Sequence, residues 1–147
     1  MLYLPVEDLD ALERDPDIAA LWFADQEPVD LGQAWHAIHW LLNGSAWGGG
    51  PPLYDAVLGG TPIGDPTSYE PIRFVSAAEA AATAEALPTP EQLTRRFTHQ
   101  GARHAEIYPE SWWDQSDILT TEILPAHDRL RTLFAQGQAV LVTLDRS

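Results

Sequence analysis

The stretch that decides the fold is DLGQAWHAIHWLLNG, residues 30–44, which has the clearest helical pattern in the chain. Asp30 is a favourable N-cap, because its carboxylate can accept from the free amides of the first turn. Gly44 lies where helices commonly end in a left-handed residue. The apolar side chains that share one helical face are Leu31, Ala34, Trp35, Ile38, Leu41 and Leu42. We therefore predict a central buried helix over residues 30–44, with Trp35, Ile38 and Leu42 in the core.

The border of this face carries polar and aromatic side chains. His39 lies beside Trp35, and His36 and Trp40 lie one step further round the helix as an i, i+4 pair. Two histidines spaced i, i+3 can face one zinc ion, but a zinc site needs a third or fourth ligand. The carboxylates available in principle are those of Asp30, Glu106, Asp114 and Asp117. No ligand spacing selects among them, so we predict neither a metal site nor a cofactor.

The composition is typical of a single globular protein. The 147 residues are 45% hydrophobic, so residues 1–147 are predicted to form one compact domain. No window approaches the roughly 20 apolar residues of a membrane span. The first residues include no basic segment before an apolar run, so no signal peptide is predicted and the expected location is cytoplasmic. The absence of cysteine excludes disulfides and thiolate nucleophiles.

The charge is strongly one-sided. Twenty-two acidic residues face eight basic ones, all arginine, for a net charge of −14. Such a surface repels phosphate backbones and anionic lipids, so neither nucleic acid nor a membrane is an expected partner. It suits a basic protein partner, and it also serves solubility. The oligomeric state is not predictable from the charge.

Shorter elements are predicted around the central helix. In chain order these are helices over 5–14 and 17–25, a glycine-rich loop over 45–52 that presents Trp47, an apolar segment over 53–58, an irregular connection over 61–71, a strand over 72–75, a helix over 76–87, a helix from Thr89, an irregular stretch over 98–117, a helix over 118–136 and a buried strand over 139–144. Capping boxes mark two helix starts, Ser76 with Glu79 and Thr89 with Gln92. Pro125 is expected to kink or split the last helix. The predicted class is α+β, with several helices around the central one and a small sheet that includes the C-terminal strand.

Several short runs together resemble the YfbM-like bacterial family, a domain of unknown function. These runs are Ala34-Trp35-His36 with His39, Leu41-Leu42 and Gly44; Leu58-Gly59-Gly60 with Ile63-Gly64, Tyr69, Pro71 and Arg73; Ile107-Tyr108-Pro109 with Trp112; and Gly137 with Ala139-Val140-Leu141. Their order and spacing match over most of the chain. The resemblance implies a small soluble α+β domain and no particular activity. The chain departs from the family pattern at its short N-terminus, its glycine-rich loop and Pro125.

Two further groups of residues could carry chemistry. The segment AEIYPESWWDQSD, residues 105–117, places Tyr108, Trp112 and Trp113 among acids, and paired carboxylates perform acid–base work in glycosidases. No spacing here demonstrates such a pair, and dense aromatics usually serve packing. Arg73 could recognise a carboxylate or phosphate, although pairing with one of the many acids is the simpler expectation. There is no Gly-x-Ser-x-Gly elbow, so no catalytic residue is predicted.

Two hypotheses of different class follow. In the first, the chain is a non-enzymatic binding protein whose acidic surface docks a basic partner, by analogy with acidic immunity proteins that neutralise toxins. Trp47 and Trp113 are then the candidate anchors. In the second, a pocket binds a small ligand or metal, with or without chemistry. The residues assigned to that pocket are His36, His39, Trp40, Arg73, Tyr108 and Trp112. We favour the first, because the charge belongs to the whole chain whereas the pocket requires several contacts that the sequence does not establish.

Overall fold

A five-stranded antiparallel sheet forms the centre of the fold. The computed structural model describes residues 1–64 and 71–144, so part of the predicted irregular connection over 61–71 lies outside the described residues. The strands are β1 (Leu2–Pro5), β2 (Val29–Asp30), β3 (Thr61–Ile63), β4 (Ile72–Val75) and β5 (Val140–Thr143). Their spatial order is β2-β1-β5-β4-β3. The strand predicted over 72–75 is confirmed, and the C-terminal strand lies in the middle of the sheet.

Both faces of this sheet are covered, which explains the continuous apolar run of β5. Val140 and Val142 pack into the larger of two hydrophobic clusters, whereas Leu141 packs into the smaller one. All three side chains are fully buried. Because successive side chains of a strand point to opposite faces, a central strand covered on both sides needs apolar residues at every position. The predicted α+β class, with the C-terminal strand in the sheet, is confirmed.

Helices supply the two covering layers. The described residues form α1 (Leu9–Arg14), α2 (Ile18–Asp25), α3 (Trp35–Asn43), α4 (Ala77–Ala86), α5 (Pro90–Arg96), α6 (His99–His104) and α7 (Leu124–Phe134). Residues of α1 and α2 pack into the smaller cluster, and α3, α4, α5 and α7 contribute to the larger one. Both predicted capping boxes are present, at Ser76 before α4 and at Thr89 before α5. Among the helices of the described residues, none has the length and apolarity needed to cross a bilayer.

Helix α3 is the buried helix predicted from residues 30–44, but it is shorter. Asp30 belongs to β2, and its carboxylate accepts from the Gly32 amide at 2.7 Å, at the start of the 3₁₀ turn Gly32–Ala34 that precedes α3. The helix ends at Gly44 in the left-handed conformation, as predicted. Ile38 and Leu42 are buried in the core. Trp35 is only half-buried and packs against the edge of the core, so its predicted place inside the core is wrong.

The last helix runs unbroken through Pro125, whereas the sequence predicts a kink or a split there. A π-helical turn, Leu119–Ile123, precedes α7, and Pro125 lies in the first turn of α7. The Leu124 amide bonds to the Leu119 carbonyl, five residues back. Proline has no amide hydrogen, and its ring crowds the carbonyl four residues before it. The wider π-helical turn accommodates this proline within one continuous helical segment.

Three elements differ from the sequence prediction. Residues 2–5 form β1, which pairs with β2 and β5, although Pro5 was assigned to a helix. Residues 61–63 form β3, although they were expected to be irregular. Residues 99–104 form α6, capped by the Thr98 hydroxyl, which accepts from the Gly101 amide at 2.9 Å. β1 and β3 depend on pairing with other strands, which leaves little local pattern. For α6 the Thr98 cap was a local signal that the prediction overlooked.

One buried polar side chain stands out in the core. His127 on α7 is fully buried, and neither ring nitrogen has a hydrogen-bond partner among the described residues. Burial, with a smaller contribution from Arg131, lowers the pKa of His127 to about 4, and Asp128 acts in the opposite direction. His127 is therefore neutral at pH 7. Its ring fills space in the core but forms no hydrogen bond with the described residues.

We expect His127→Leu to raise the free energy of unfolding at pH 7 by about 1 kcal/mol, because it removes an unpartnered polar group. The gain should grow as the pH falls. An unfolded histidine takes up its proton near pH 6.5 and this one only near pH 4, so the unfolded state binds more protons between these values. As the pH falls from 6.5 to about 4, His127 should lower the free energy of unfolding of the parent by about 3 kcal/mol. Above pH 6.5 it should cause no such loss. Urea unfolding at pH 7, 5.5 and 4.5 measures the difference.

The control is His104→Leu, the same substitution at an exposed histidine of α6. It should change stability little, and it should keep the loss of stability at low pH that His127 causes. Parallel pH curves for the parent and His127→Leu would contradict the assignment.

Candidate functional site

Two histidines of α3 connect this helix to neighbouring loops. His36 is almost fully buried, and its Nε2 donates to the Ala46 carbonyl at 2.9 Å. Its Nδ1 accepts from the Tyr108 amide, also at 2.9 Å. Because a backbone carbonyl only accepts and a backbone amide only donates, His36 must be neutral with its proton on Nε2. One ring therefore joins the helix, the glycine-rich loop and the segment around Tyr108.

His39 holds the same loop one turn further along. Its Nε2 donates to the Gly48 carbonyl at 2.9 Å. Its Nδ1 faces the side-chain amide nitrogen of Asn43 at 3.3 Å, and that nitrogen also donates to the His39 carbonyl at 3.1 Å. The edge of the His39 ring meets Tyr54, with centroids 5.5 Å apart. The sequence placed both histidines at the border of the core; the structure corrects this, because the glycine-rich loop covers them.

Burial dominates the acid–base properties of both rings. Desolvation lowers the pKa of His36, and the Ala46 carbonyl partly opposes it. Desolvation likewise lowers the pKa of His39; the Gly48 carbonyl opposes it, and His36 lowers it further. Both rings are therefore neutral at pH 7. This agrees with the tautomer that the backbone partners of His36 require.

An exposed group of rings lies over His36. We call Trp35, Trp47 and Tyr108 the aromatic surface. Trp47 is 61% exposed and Tyr108 is 48% exposed. The centroid of Trp47 lies 4.2 Å from that of His36, and Trp35 lies 6.2 Å from both Trp47 and Tyr108. Three separate segments of the chain thus place their rings side by side around one buried histidine.

The glycine-rich loop packs closely over α3. Gly49 has φ +139°, a region that side chains rarely adopt, and a side chain there would also collide with Asn43. Glycine is required at this position for both reasons. By contrast, a side chain at Gly50 would meet open space. The loop predicted over residues 45–52 is confirmed, and its hydrogen bonds to His36 and His39 anchor it.

A cavity of about 470 Å³ adjoins the aromatic surface at Tyr108. Its lining residues are Arg103, Glu106, Ile107, Tyr108, Glu110, Trp113 and Asp114. Arg103 forms an ion pair with Asp114 and donates to the Trp113 carbonyl at 2.6 Å. Two carboxylates of the wall, those of Glu106 and Glu110, are exposed and lie outside this ion pair.

The remaining residues assigned from sequence lie elsewhere. Arg73 on β4 donates to the carbonyls of Val57 and Gly59, at 2.9 and 2.7 Å. These bonds hold the chain at residues 57–59, and no ion pair joins Arg73 to an acid among the described residues. Among the described residues no hydrogen bond joins Arg73 to His36. The pocket that unites Arg73 with the histidines stays a prediction.

The other tryptophans contribute to packing. Trp40 is half-buried against Phe97, and half-buried Trp112 meets Trp113 edge-on at 6.3 Å. Trp113 is 1% exposed, and its indole donates to the Ile107 carbonyl at 2.7 Å. The expectation that Trp113 offers an exposed anchor is therefore wrong. Trp47 is exposed as predicted.

Sequence reasoning missed two contributors to the site. Asn43 lies four residues after His39, a spacing that places both on one helical face, and this signal was available. Gln33 donates to the Tyr108 hydroxyl at 3.3 Å across 75 residues, and no local signal indicates that contact. No group of three or more histidine or acidic side chains in the described residues is arranged to hold a metal ion.

The fold and the site define an α+β protein in which an antiparallel sheet is covered by helices and a buried helix carries an aromatic surface. A family model described as Domain of unknown function (DUF1877) matches residues 2–143, so the chain belongs to this family. The crystal structure of a protein of unknown function, YfbM from Escherichia coli, is similar with a TM-score of 0.63 and 21% identity. The alignment covers 99% of this chain and 100% of that one, and it confirms the fold. A search of curated proteins found no match.

We expect zinc to bind weakly at His36 and His39, because both Nε2 atoms already donate to backbone carbonyls and the Nδ1 atoms face N–H groups. Calorimetric titration of tag-free protein with zinc measures this. A stoichiometric sub-micromolar site that disappears in His36→Ala would contradict the expectation.

We expect Gly49→Ala to destabilise the protein by roughly 1–3 kcal/mol, because it adds backbone strain and a collision with Asn43. Gly50→Ala is the matched control, with the same change one residue away in open space. Urea unfolding measures both. Equal stabilities for the two variants would show that the loop does not pack on α3 as described.

Proposed function

We propose that this protein is a non-enzymatic binding protein that docks a basic protein partner through the aromatic surface. The observation that carries the proposal is the exposure of Trp47 and Tyr108, at 61% and 48%, next to the buried His36 ring, which bonds to the Ala46 carbonyl and the Tyr108 amide. Soluble proteins seldom leave neighbouring large rings in water without a use for them. Tryptophan and tyrosine are also enriched among the residues that dominate binding energy.

The charge of the chain supports the choice of partner. At −14, the protein attracts basic surfaces over distances comparable to the Debye length, about 8 Å at physiological salt. Such attraction mainly accelerates association, whereas buried aromatic contacts mainly slow dissociation. One specific version of this proposal is that the protein neutralises a basic partner, as an immunity protein neutralises a toxin.

A second candidate is a small-ligand site in the cavity beside Tyr108. Its volume of about 470 Å³ is within the range of ligand pockets, and it combines one aromatic ring with carboxylates and an arginine. This candidate replaces the pocket that was built from His36, His39 and Arg73, since Arg73 binds elsewhere and the histidine nitrogens are occupied. An enzyme is the less favoured alternative, because the sequence contains no Gly-x-Ser-x-Gly elbow.

Affinity capture from the native host with matched baits tests the proposal. The baits are the parent, Trp47→Ala and Leu21→Ala; Leu21 on α2 is 62% exposed and is the control for loss of an exposed apolar side chain. Proteins retained by the parent and Leu21→Ala but lost with Trp47→Ala are partners of the aromatic surface. A basic protein among them is expected. If the three baits retain the same proteins, the aromatic surface is not the docking site.

For a captured partner, we expect higher salt to slow association and Trp47→Ala to speed dissociation by about tenfold or more, equivalent to at least about 1.4 kcal/mol. Leu21→Ala should leave both rates unchanged. Surface plasmon resonance at several salt concentrations measures these rates. Association that ignores salt, together with unchanged dissociation of Trp47→Ala, would place the binding surface elsewhere.

A further inference from the structure

Two hydrogen bonds of the buried His36 ring hold the segments that carry the two most exposed rings of the aromatic surface. The Ala46 carbonyl, which precedes Trp47, accepts from Nε2, and the Tyr108 amide donates to Nδ1. Only a neutral ring can make both bonds. A proton on Nδ1 would point at the Tyr108 amide hydrogen, and a backbone amide cannot turn round to accept it. Among the described residues, the group that faces Nδ1 therefore cannot accept a hydrogen bond from the charged ring.

His39 differs in this respect. Its Nδ1 faces the side-chain amide of Asn43, which can exchange its nitrogen for its oxygen by rotation. That rotation sacrifices the bond to the His39 carbonyl but gives a charged ring an acceptor. His39 therefore tolerates a proton better than His36 does. The comparison singles out His36.

We propose that His36 makes the aromatic surface sensitive to pH: its neutral form holds Trp47 and Tyr108 together, and its protonation releases the Tyr108 segment and loosens the loop that carries Trp47. If the proposed function is correct, this change favours partner binding at neutral pH and weakens it in acid. Only this consequence rests on the proposed function. The structural step concerns the protein alone and can be tested without a partner.

Several charged or titratable groups belong to elements packed against α3 and His36. They are His39 on the same helix, Tyr54 and Asp55 on the 3₁₀ turn Leu53–Ala56, Arg96 on α5, which donates to the Leu41 carbonyl at 3.0 Å, and Glu106, Tyr108 and Glu110 on the adjoining segment. The glycine-rich loop over 45–50 and the turn Gly32–Ala34 carry no charged side chain. The acids would favour protonation, and Arg96 and a charged His39 would oppose it. Desolvation is the largest influence and keeps the pKa of His36 below its ordinary value of 6.5.

The test is nuclear magnetic resonance of the ¹⁵N-labelled full chain from pH 8 to pH 5. The His36 ring nitrogens should change from the Nε2–H tautomer to the imidazolium with a midpoint below pH 6.5. The Trp47 indole signal and the Tyr108 amide signal should shift with the same midpoint. The protection factor of the Tyr108 amide should fall at least about tenfold. The amide of Val142, which is fully buried in the central strand β5, should not shift and so reports that the fold is intact.

Two substitutions sharpen the assignment. His36→Asn keeps an acceptor near the position of Nδ1 but cannot titrate, so the common midpoint of Trp47 and Tyr108 should disappear. His99→Asn is the matched control: His99 bonds to the Gln115 carbonyl at 2.8 Å, outside the aromatic surface, and its loss should leave the midpoint unchanged. If His36→Asn does not fold, the measurement on the parent decides alone.

Three results would overturn the proposal. Trp47 and Tyr108 signals could stay constant while His36 titrates, or His36 could remain neutral down to pH 5. The Val142 amide signal could shift with the same midpoint, which would indicate global unfolding in place of local release. None of these results bears on whether a partner binds at neutral pH, so failure here and failure of the proposed function are distinguishable.

Discussion

The two-sided hydrogen bonding of buried His36 is the interaction on which the aromatic surface depends. A buried imidazole with both nitrogens bonded avoids a desolvation penalty of several kcal/mol and gains about 1 kcal/mol per bond. His127 shows the opposite case, because it is equally buried and has no hydrogen-bond partner among the described residues. Burial alone therefore does not determine the structural role of a histidine in this protein. The hydrogen-bond partners make the difference. His36 bonds to the backbone of two other segments and positions them, whereas His127 only fills space in the core.

The hydrogen bonds of His36 affect the aromatic rings of the surface but not its net charge. The net charge of −14 acts at long range and depends on no single side chain, so it is robust to local rearrangement. The rings of Trp47 and Tyr108 act only at contact, and their relative placement requires α3, the glycine-rich loop and the segment around Tyr108 to meet at one point. Local loss of His36 bonding would therefore change anchoring and leave electrostatic attraction intact.

Sequence reasoning succeeded where local chemistry determines structure. The capping boxes at Ser76 and Thr89 and the apolar run that became β5 are contiguous signals, and each element formed as predicted. It failed at β1, whose partner β5 is more than a hundred residues away. It likewise could not predict that the Tyr108 amide meets His36 across 72 residues, or that Trp113 turns into the core. Those outcomes depend on packing between distant segments, which a single sequence does not encode in any local pattern.

The glycine-rich loop shows why anchoring matters for binding. A loop with three consecutive glycines has high conformational entropy, and ordering it only on binding would oppose complex formation. Here the ordering occurs in the free protein, because His36 and His39 bond to the Ala46 and Gly48 carbonyls. Glycine at position 49 then serves close packing on Asn43 and does not provide freedom of movement. His36 and His39 thus hold the glycine-rich loop in one conformation before any partner binds, although three consecutive glycines would by themselves make it flexible.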